Sequence, residues 1–215
     1  MQPSPVCHIV CALPQNTLSA PAPGDLVIAA DGGYARLGGV RPDLVVGDFD
    51  SLGYVPEGES VVRHPVKKDD TDTMLAARIG LARGYRAFLL HGAVGGRLDH
   101  TLANLQTLAF LREHGARAAL LGDGETITLI RNESLRFRAG LRGTVSVFSY
   151  GACAEGVYER GFAYTLNDAT LTDTKPIGVS NAFTGAPAEI AVRSGRLAVL
   201  YAGRPEDSNL FGVNA

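Results

Sequence analysis

The chain has 215 residues, 46% of them apolar, enough for one large domain or two small ones with a substantial core. With 20 basic against 22 acidic residues its formal net charge is -2, which excludes a broad basic face for nucleic acid or anionic lipid, so any anionic ligand has to be held locally. Three scattered cysteines (Cys7, Cys11 and Cys153) with no histidine pair at zinc spacing exclude a disulfide framework, and no apolar run approaches the ~20 residues of a membrane helix; buried thiols and a cytoplasmic location are expected.

In chain order, the first half alternates short apolar runs with polar or helical stretches. VCHIVCAL from Val6, LVIAAD from Leu26, DLVVGD from Asp43, SVVRHP from Ser60, AFLLHGA from Ala87 and AALLGDG from Ala118 have the β-branched and leucine-rich character of strands buried on both faces of a parallel sheet. PQNTLSAPAPG, Pro14 to Gly24, reads as a surface loop. A first helix is predicted from DDTDTML, capped by Asp70 or Thr71, with Leu75, Ile79 and Ala82 on its buried face and a stop at Gly84. A second runs from about Leu98 through Leu102, Leu105 and Leu108 to His114 and ends at Gly115. Beyond about residue 125, the segments TITLIR, LRFRAG, TVSVFSYG, YERGFAYTL, AEIAVRSG and RLAVLYAG are short and partly alternating, separated by Gly, Asn and Ser turns. Arg193-Ser194-Gly195-Arg196 is a candidate hairpin turn. The expected organisation is an α/β unit over 1–125 and a small antiparallel β unit over 126–215.

Of the 13 aspartates, eight fall between Asp31 and Asp99, and most of those follow a predicted strand: Asp31 before Gly32-Gly33, Asp48 and Asp50 in GDFDS, Asp69 to Asp72 in KKDDTD, Asp99 in GGRLDH. The carboxyl ends of parallel strands share one edge, where ligands bind, so these stretches converge on one acidic cleft. Crowded carboxylates repel one another, and structure alone gains nothing from that. If GDFDS is extended, Asp48 and Asp50 project the same way while Phe49 projects inward, a pair suited to a hard cation. Mg²⁺ favours carboxylate and phosphate oxygens, so Asp48, Asp50 and Asp72 are candidate ligands, with Lys68 and Arg97 facing phosphate and Gly32, Gly33, Gly92, Gly95 and Gly96 admitting backbone amides close to a nucleotide. Neither GxxxxGK[ST] nor GxGxxG is present. Taken singly, DGG, the paired aspartates, KKDDTD, GGRLDH and Ser180-Asn181 are each open to a plain reading as turn, solvated loop or helix cap.

Taken together and in this order, DGG, GDFDS, KDDTD, GGRLDH and SN resemble the thiamine pyrophosphokinase family over nearly the whole chain. That resemblance implies a Rossmann-like N-terminal α/β domain with flanking helices, a C-terminal antiparallel β-sandwich domain, and a homodimer whose thiamine pocket involves both subunits. It implies transfer of a diphosphate from ATP to the primary alcohol of thiamine, with Mg²⁺ as cofactor, giving thiamine diphosphate and AMP. By the same resemblance Asp48, Asp50 and Asp72 match the Mg²⁺-associated acids; Asp31, Gly32, Gly33, Lys68, Asp69, Thr71, Gly92, Arg97 and Asp99 fall in the ATP motifs; Ser180 and Asn181 match the segment closing over thiamine. The expected mechanism is in-line attack by the thiamine hydroxyl on the β-phosphorus, with Asp72 or Asp99 accepting its proton and Arg97 neutralising charge. The chain lacks the Trp that some family members place against thiamine, and Phe183 is the candidate partner for the thiazolium. Other readings are a sister enzyme acting on another hydroxymethyl heterocycle such as a pterin, a non-catalytic nucleotide sensor, and a metal-dependent phosphatase.

Overall fold

The structure, a computed structural model, describes residues 4–14, 18, 20–49, 53–54, 56, 61–63 and 70–212. The chain divides into two compact units between Asp123 and Gly124. The first holds six strands, β1 (Val6–Val10), β2 (Leu26–Ala30), β3 (Leu44–Gly47), β4 (Val61–Arg63), β5 (Ala87–His91) and β6 (Arg117–Leu121). All pair in parallel, in the order β4-β3-β2-β1-β5-β6. Every residue of β2, β3 and β5 is buried, which accounts for their unbroken apolar runs. The chain builds outward from β1 through β4, then returns to the other side of β1 with β5 and β6. The order therefore reverses at the β1/β5 pair, where an open α/β sheet leaves a crevice at its carboxyl edge.

Helix α1 (Asp72–Ala82) joins β4 to β5. Of the two caps expected, Thr71 serves: its hydroxyl accepts the Met74 amide at 3.2 Å, while Asp70 binds the Arg78 guanidinium at 2.8 Å. The buried face differs from Leu75, Ile79 and Ala82. Ala76, Ala77 and Gly80 are buried and Ala82 is exposed. Close approach selects small residues here, since a Cβ on Gly80 would lie 2.5 Å from the Phe88 ring and 2.9 Å from the Cys7 sulfur. Helix α2 (Leu98–Glu113) joins β5 to β6 and buries Asn104, Thr107, Leu108 and Leu111. Leu98 and Leu102, expected inward, are 72% and 55% exposed, because the buried stripe begins two residues after Leu102. Among the described residues no helix is long and apolar enough to cross a membrane. Cys7 and Cys11 are buried, whereas Cys153 is exposed.

The second unit is entirely β: β7 (Glu125–Arg131), β8 (Ser134–Phe137), β9 (Thr144–Ser149), β10 (Cys153–Arg160), β11 (Leu166–Thr172), β12 (Gly178–Ala182), β13 (Ala188–Ser194) and β14 (Arg196–Ala202). Two antiparallel layers, β12-β9-β14-β7 and β11-β10-β13-β8, contact each other through β11 on β9, β10 on β14 and β13 on β7. Between them Phe137 meets Phe183 and Tyr201 edge-on at 5.1 and 5.0 Å, with Phe162 5.4 Å from Phe183. The Arg193–Arg196 turn is not a hairpin. β13 pairs with β10 and β8, β14 with β7 and β9, so the chain crosses from one layer to the other at Gly195, whose amide is held by the Asn132 side chain at 2.9 Å.

Candidate active site

A cleft of about 370 Å³ opens at the carboxyl edge of the N-terminal sheet, where the strand order reverses. Its walls come from Cys11 to Leu13 after β1, Asp31 after β2, Thr71 to Thr73 at the start of α1, Gly92, Ala93 and Gly95 after β5, and Arg97 and His100 at the start of α2. Two helix N-termini and three charged side chains, Asp31, Asp72 and Arg97, thus border one crevice, an arrangement that receives phosphate oxygens on amide N–H groups and guanidinium while offering carboxylates to a cation.

The DGG turn is built for close approach. A Cβ on Gly33 would lie 1.8 Å from the Val10 carbonyl oxygen, so only glycine lets the turn press against β1. Asp31 itself takes a left-handed φ of 46°. Its Oδ1 is buried with no hydrogen-bond partner among the described residues, an acceptor left for something that enters the cleft. On the opposite wall Gly92 has φ of 60°, and a Cβ there would lie 2.5 Å from the Leu13 carbonyl oxygen. The buried Asn104 amide donates to the Ala93 carbonyl at 2.7 Å, tying α2 to that wall. The Cys11 thiol, buried beside the Thr73 hydroxyl at 3.5 Å, is pushed up to about 11 by burial, so it stays protonated and is no nucleophile at neutral pH.

Of the residues expected in the site, Asp31, Thr71, Asp72, Gly92 and Arg97 line the cleft. Gly32 and Gly33 belong to the turn that carries Asp31 and do not line it. Asp50, Lys68 and Asp69 lie outside the described residues. Asp48 is half-buried just beyond β3. The extended alternation that would set Asp48 beside Asp50 ends at Gly47, because Phe49 turns left-handed, with φ of 65°, to bury its ring against Val10, Ala29 and Val45. Asp99 does not line the cleft; its carboxylate takes a forked pair of hydrogen bonds from Arg97, at 3.1 and 2.5 Å, and the His100 amide at 2.9 Å. The Arg97 guanidinium holds the Asp99 carboxyl below the usual carboxylate range, which makes it a poor proton acceptor. Sequence reading missed Cys11 to Leu13, Thr73, His100 and Asn104. The first group follows directly from extending the strand-edge rule to β1.

Mg²⁺ takes one or two protein carboxylates and completes its shell with water and phosphate oxygens. The donors here are of that kind: Asp72, the partnerless Oδ1 of Asp31, and Asp48 nearby in sequence to Asp50. Among the described residues no three His, Cys, Asp or Glu side chains form a closed cage. Donors of this kind suit an ion that arrives with phosphate ligands.

In the C-terminal unit, Ser180 has φ of 60° and is exposed, its amide bound to the Ser146 hydroxyl at 3.0 Å. Asn181 is buried and fully committed: its Nδ2 donates to Glu159 Oε2 at 2.5 Å and to the Tyr164 carbonyl at 2.7 Å, and its Oδ1 accepts the Tyr164 and Ala182 amides, each at 2.9 Å. Phe183, expected against a thiazolium, is instead 5% exposed inside the aromatic core, because the strand register turns it between the layers. A cavity of about 300 Å³ beside Asn181 is lined by Glu159, Tyr164, Leu166, Ile177 and Val179. Glu159 and Tyr164 were not anticipated, although both stand in the YERGFAYTL segment.

Comparison with known proteins follows this division. The description "Thiamin pyrophosphokinase, catalytic domain" matches residues 22–120 and "Thiamin pyrophosphokinase, vitamin B1 binding domain" matches residues 128–197. Among solved structures the fold resembles thiamine pyrophosphokinase from Bacillus subtilis, with TM-score 0.81 and 22% identity over 92% of this chain and 99% of that one. A thiamin pyrophosphokinase family protein from Enterococcus faecalis gives TM-score 0.78 and 27% identity over 94% and 100%. Thiamin pyrophosphokinase from Candida albicans gives 0.74 and 15% over 94% and 90%. No curated protein matches the sequence.

Proposed function

The chain belongs to the thiamin pyrophosphokinase family and is an enzyme of that kind, and from this premise we propose that it moves an intact diphosphate from ATP to the primary hydroxyl of thiamine, releasing AMP and thiamine diphosphate. The observation that carries the reading is the partnerless Oδ1 of Asp31 in a cleft that also presents Asp72 and Arg97 at the reversal of the sheet order. ATP occupies this cleft, its phosphates against the Gly92–Arg97 turn and the start of α1. Arg97 offers a bidentate guanidinium to phosphate, exchanging Asp99 for the new anion.

Asp48, Asp50 and Asp72 would hold Mg²⁺, which would supply charge neutralisation at the phosphates. Asp31, with an acceptor to spare, orients ligand groups entering the β2 edge. Asp72 lines the cleft and Asp99 does not, so Asp72 is the better-placed acceptor for the hydroxyl proton, through the carboxylate oxygen that does not hold the ion. Lys68 and Asp69 remain assigned to ATP, with Gly32 and Gly33 shaping the turn. Thiamine binds in the C-terminal unit near Ser180, and Tyr164, 72% exposed at its cavity, replaces Phe183 as the aromatic partner of the thiazolium. We assign a cytoplasmic homodimer with no nucleic-acid or membrane partner.

The test follows AMP and thiamine diphosphate from purified protein given ATP, Mg²⁺ and thiamine, with a no-thiamine control. Stoichiometric appearance of both products is expected, and Asp72→Asn should lower turnover by about 100-fold or more. Unchanged turnover of Asp48→Asn at saturating Mg²⁺ would remove Asp48 from the metal site. ATP consumed only with a different heterocyclic alcohol would overturn thiamine as the acceptor.

A further inference from the structure

The cavity of the C-terminal unit contains a buried acid that no role above uses. Glu159, on β10, is 1% exposed. One carboxylate oxygen accepts from Asn181, and the other, Oε1, is buried with no hydrogen-bond partner among the described residues. Among the described residues no cationic side chain pairs with it: the neighbouring Arg160 binds Glu189 at 2.9 Å, and Arg193 binds Asp168 at 3.1 Å. The remaining walls are aliphatic or aromatic, namely Leu166, Ile177, Val179 and Tyr164. At about 300 Å³ the space stands at the lower end of the roughly 300–1,000 Å³ of ligand pockets.

A carboxylate taken out of water without a counter-ion is unfavourable by several kcal/mol, so the site favours either a proton or a cationic ligand as its counter-charge. Burial pushes the Glu159 carboxyl up, partly opposed by the Asn181 hydrogen bond, so a cationic ligand beside it would favour the ionised form. We propose that Glu159 is a specificity-determining residue for the substrate ring, the counter-charge by which the C-terminal unit selects a permanently cationic heterocycle over an uncharged one of the same shape. The inference rests on the reading that thiamine binds in this unit, and it adds the physical basis of choice. A quaternary ring nitrogen has no hydrogen to donate, so it is recognised by charge and by an aromatic face. The apolar walls lower the local dielectric and strengthen the first, and Tyr164 supplies the second. Asn181, its amide fully used, holds Glu159 in place instead of touching the ring.

The experiment compares equilibrium binding of thiamine with that of its neutral analogue, in which carbon replaces the quaternary nitrogen and the ring becomes a thiophene, on the full-length protein and on Glu159→Gln. Glutamine keeps an acceptor for Asn181 and removes the charge. The wild-type protein is expected to prefer thiamine by about tenfold or more. The variant is expected to lose that preference through weaker thiamine binding alone. Equal binding of both ligands by wild-type protein overturns the inference, and so does an unaltered preference in Glu159→Gln. If the variant does not fold, the wild-type preference decides. Failure of the kinase reading shows separately, as no AMP from wild-type protein with thiamine.

Discussion

Lowering the pH should destabilise this protein through one histidine. His91 closes β5, is 9% exposed, and places its Nε2 3.0 Å from Nδ1 of His8, whose own Nε2 is 3.3 Å from Asp25 Oδ2. Burial first, and the adjacent His8 second, push His91 down from 6.5 to about 3. Between those values the unfolded chain carries a proton that the folded chain does not, so stability rises with pH across the window. The contribution is fully present above 6.5 and is lost as pH falls toward 3. From about pH 7 to about pH 5 the unfolded imidazole gains about three-quarters of a proton while the folded one gains almost none, which integrates to about 2 kcal/mol. That figure hardly changes if the folded value moves by a unit either way. Urea unfolding at the two pH values, on wild-type protein and on His91→Gln, isolates it. The variant loses some stability at both, and its pH-dependent loss should be smaller than that of wild type by about 2 kcal/mol. Identical losses in the two proteins would mean that His91 titrates normally in the fold.

Phe183→Ala should cost about 3–5 kcal/mol of stability by emptying the aromatic cluster, and leave the KM for thiamine unchanged in the folded protein. A raised KM with an intact melting temperature would return Phe183 to the substrate. On α2, Leu102→Gln should change stability by no more than about 0.5 kcal/mol whereas Leu108→Ala should cost about 2–5 kcal/mol, both by denaturant titration. Equal costs would mean that the helix buries the face its leucines suggest.

The parallel sheet was legible because strands buried on both faces write themselves as continuous apolar runs, and all six of its strands coincide with such runs. The helices were legible in extent but not in rotation. Hydrophobicity pointed α1 by Leu75 and Ile79, yet the sheet comes so near that Ala76, Ala77 and Gly80 make the contact. Along α2 the leucine spacing concealed that Asn104 and Thr107 face inward. In the β unit, β11 and β12 were missed, since LNDATLT and GVSNA lack an apolar alternation. Acids and glycines marked the cleft through their position after strands, a rule that depends on chain order alone. Phe183 could not be placed that way, because whether a strand residue faces the core or the ligand depends on a one-residue register that Ser180 resets with its left-handed turn. Glu159 had no local signal at all: it becomes visible only when Asn181 is brought to it across 22 residues.

The crossing at Gly195 has a kinetic consequence. β13 is an inner strand of one layer and β14 an inner strand of the other, and both come after every strand they join. β8 therefore waits some fifty residues for β13, and β7 waits longer for β14, while the neighbouring pairs β10–β11 and β9–β12 can close earlier. Before β13 and β14 emerge, β7 and β8 have no partner within this unit, and the segment that crosses at Gly195 completes both layers. Such late, distant pairing is slow and leaves strand edges open in the meantime. A substitution that stiffens or disfavours the Gly195 turn would thus be felt first as lost yield during folding, before any change in the finished enzyme.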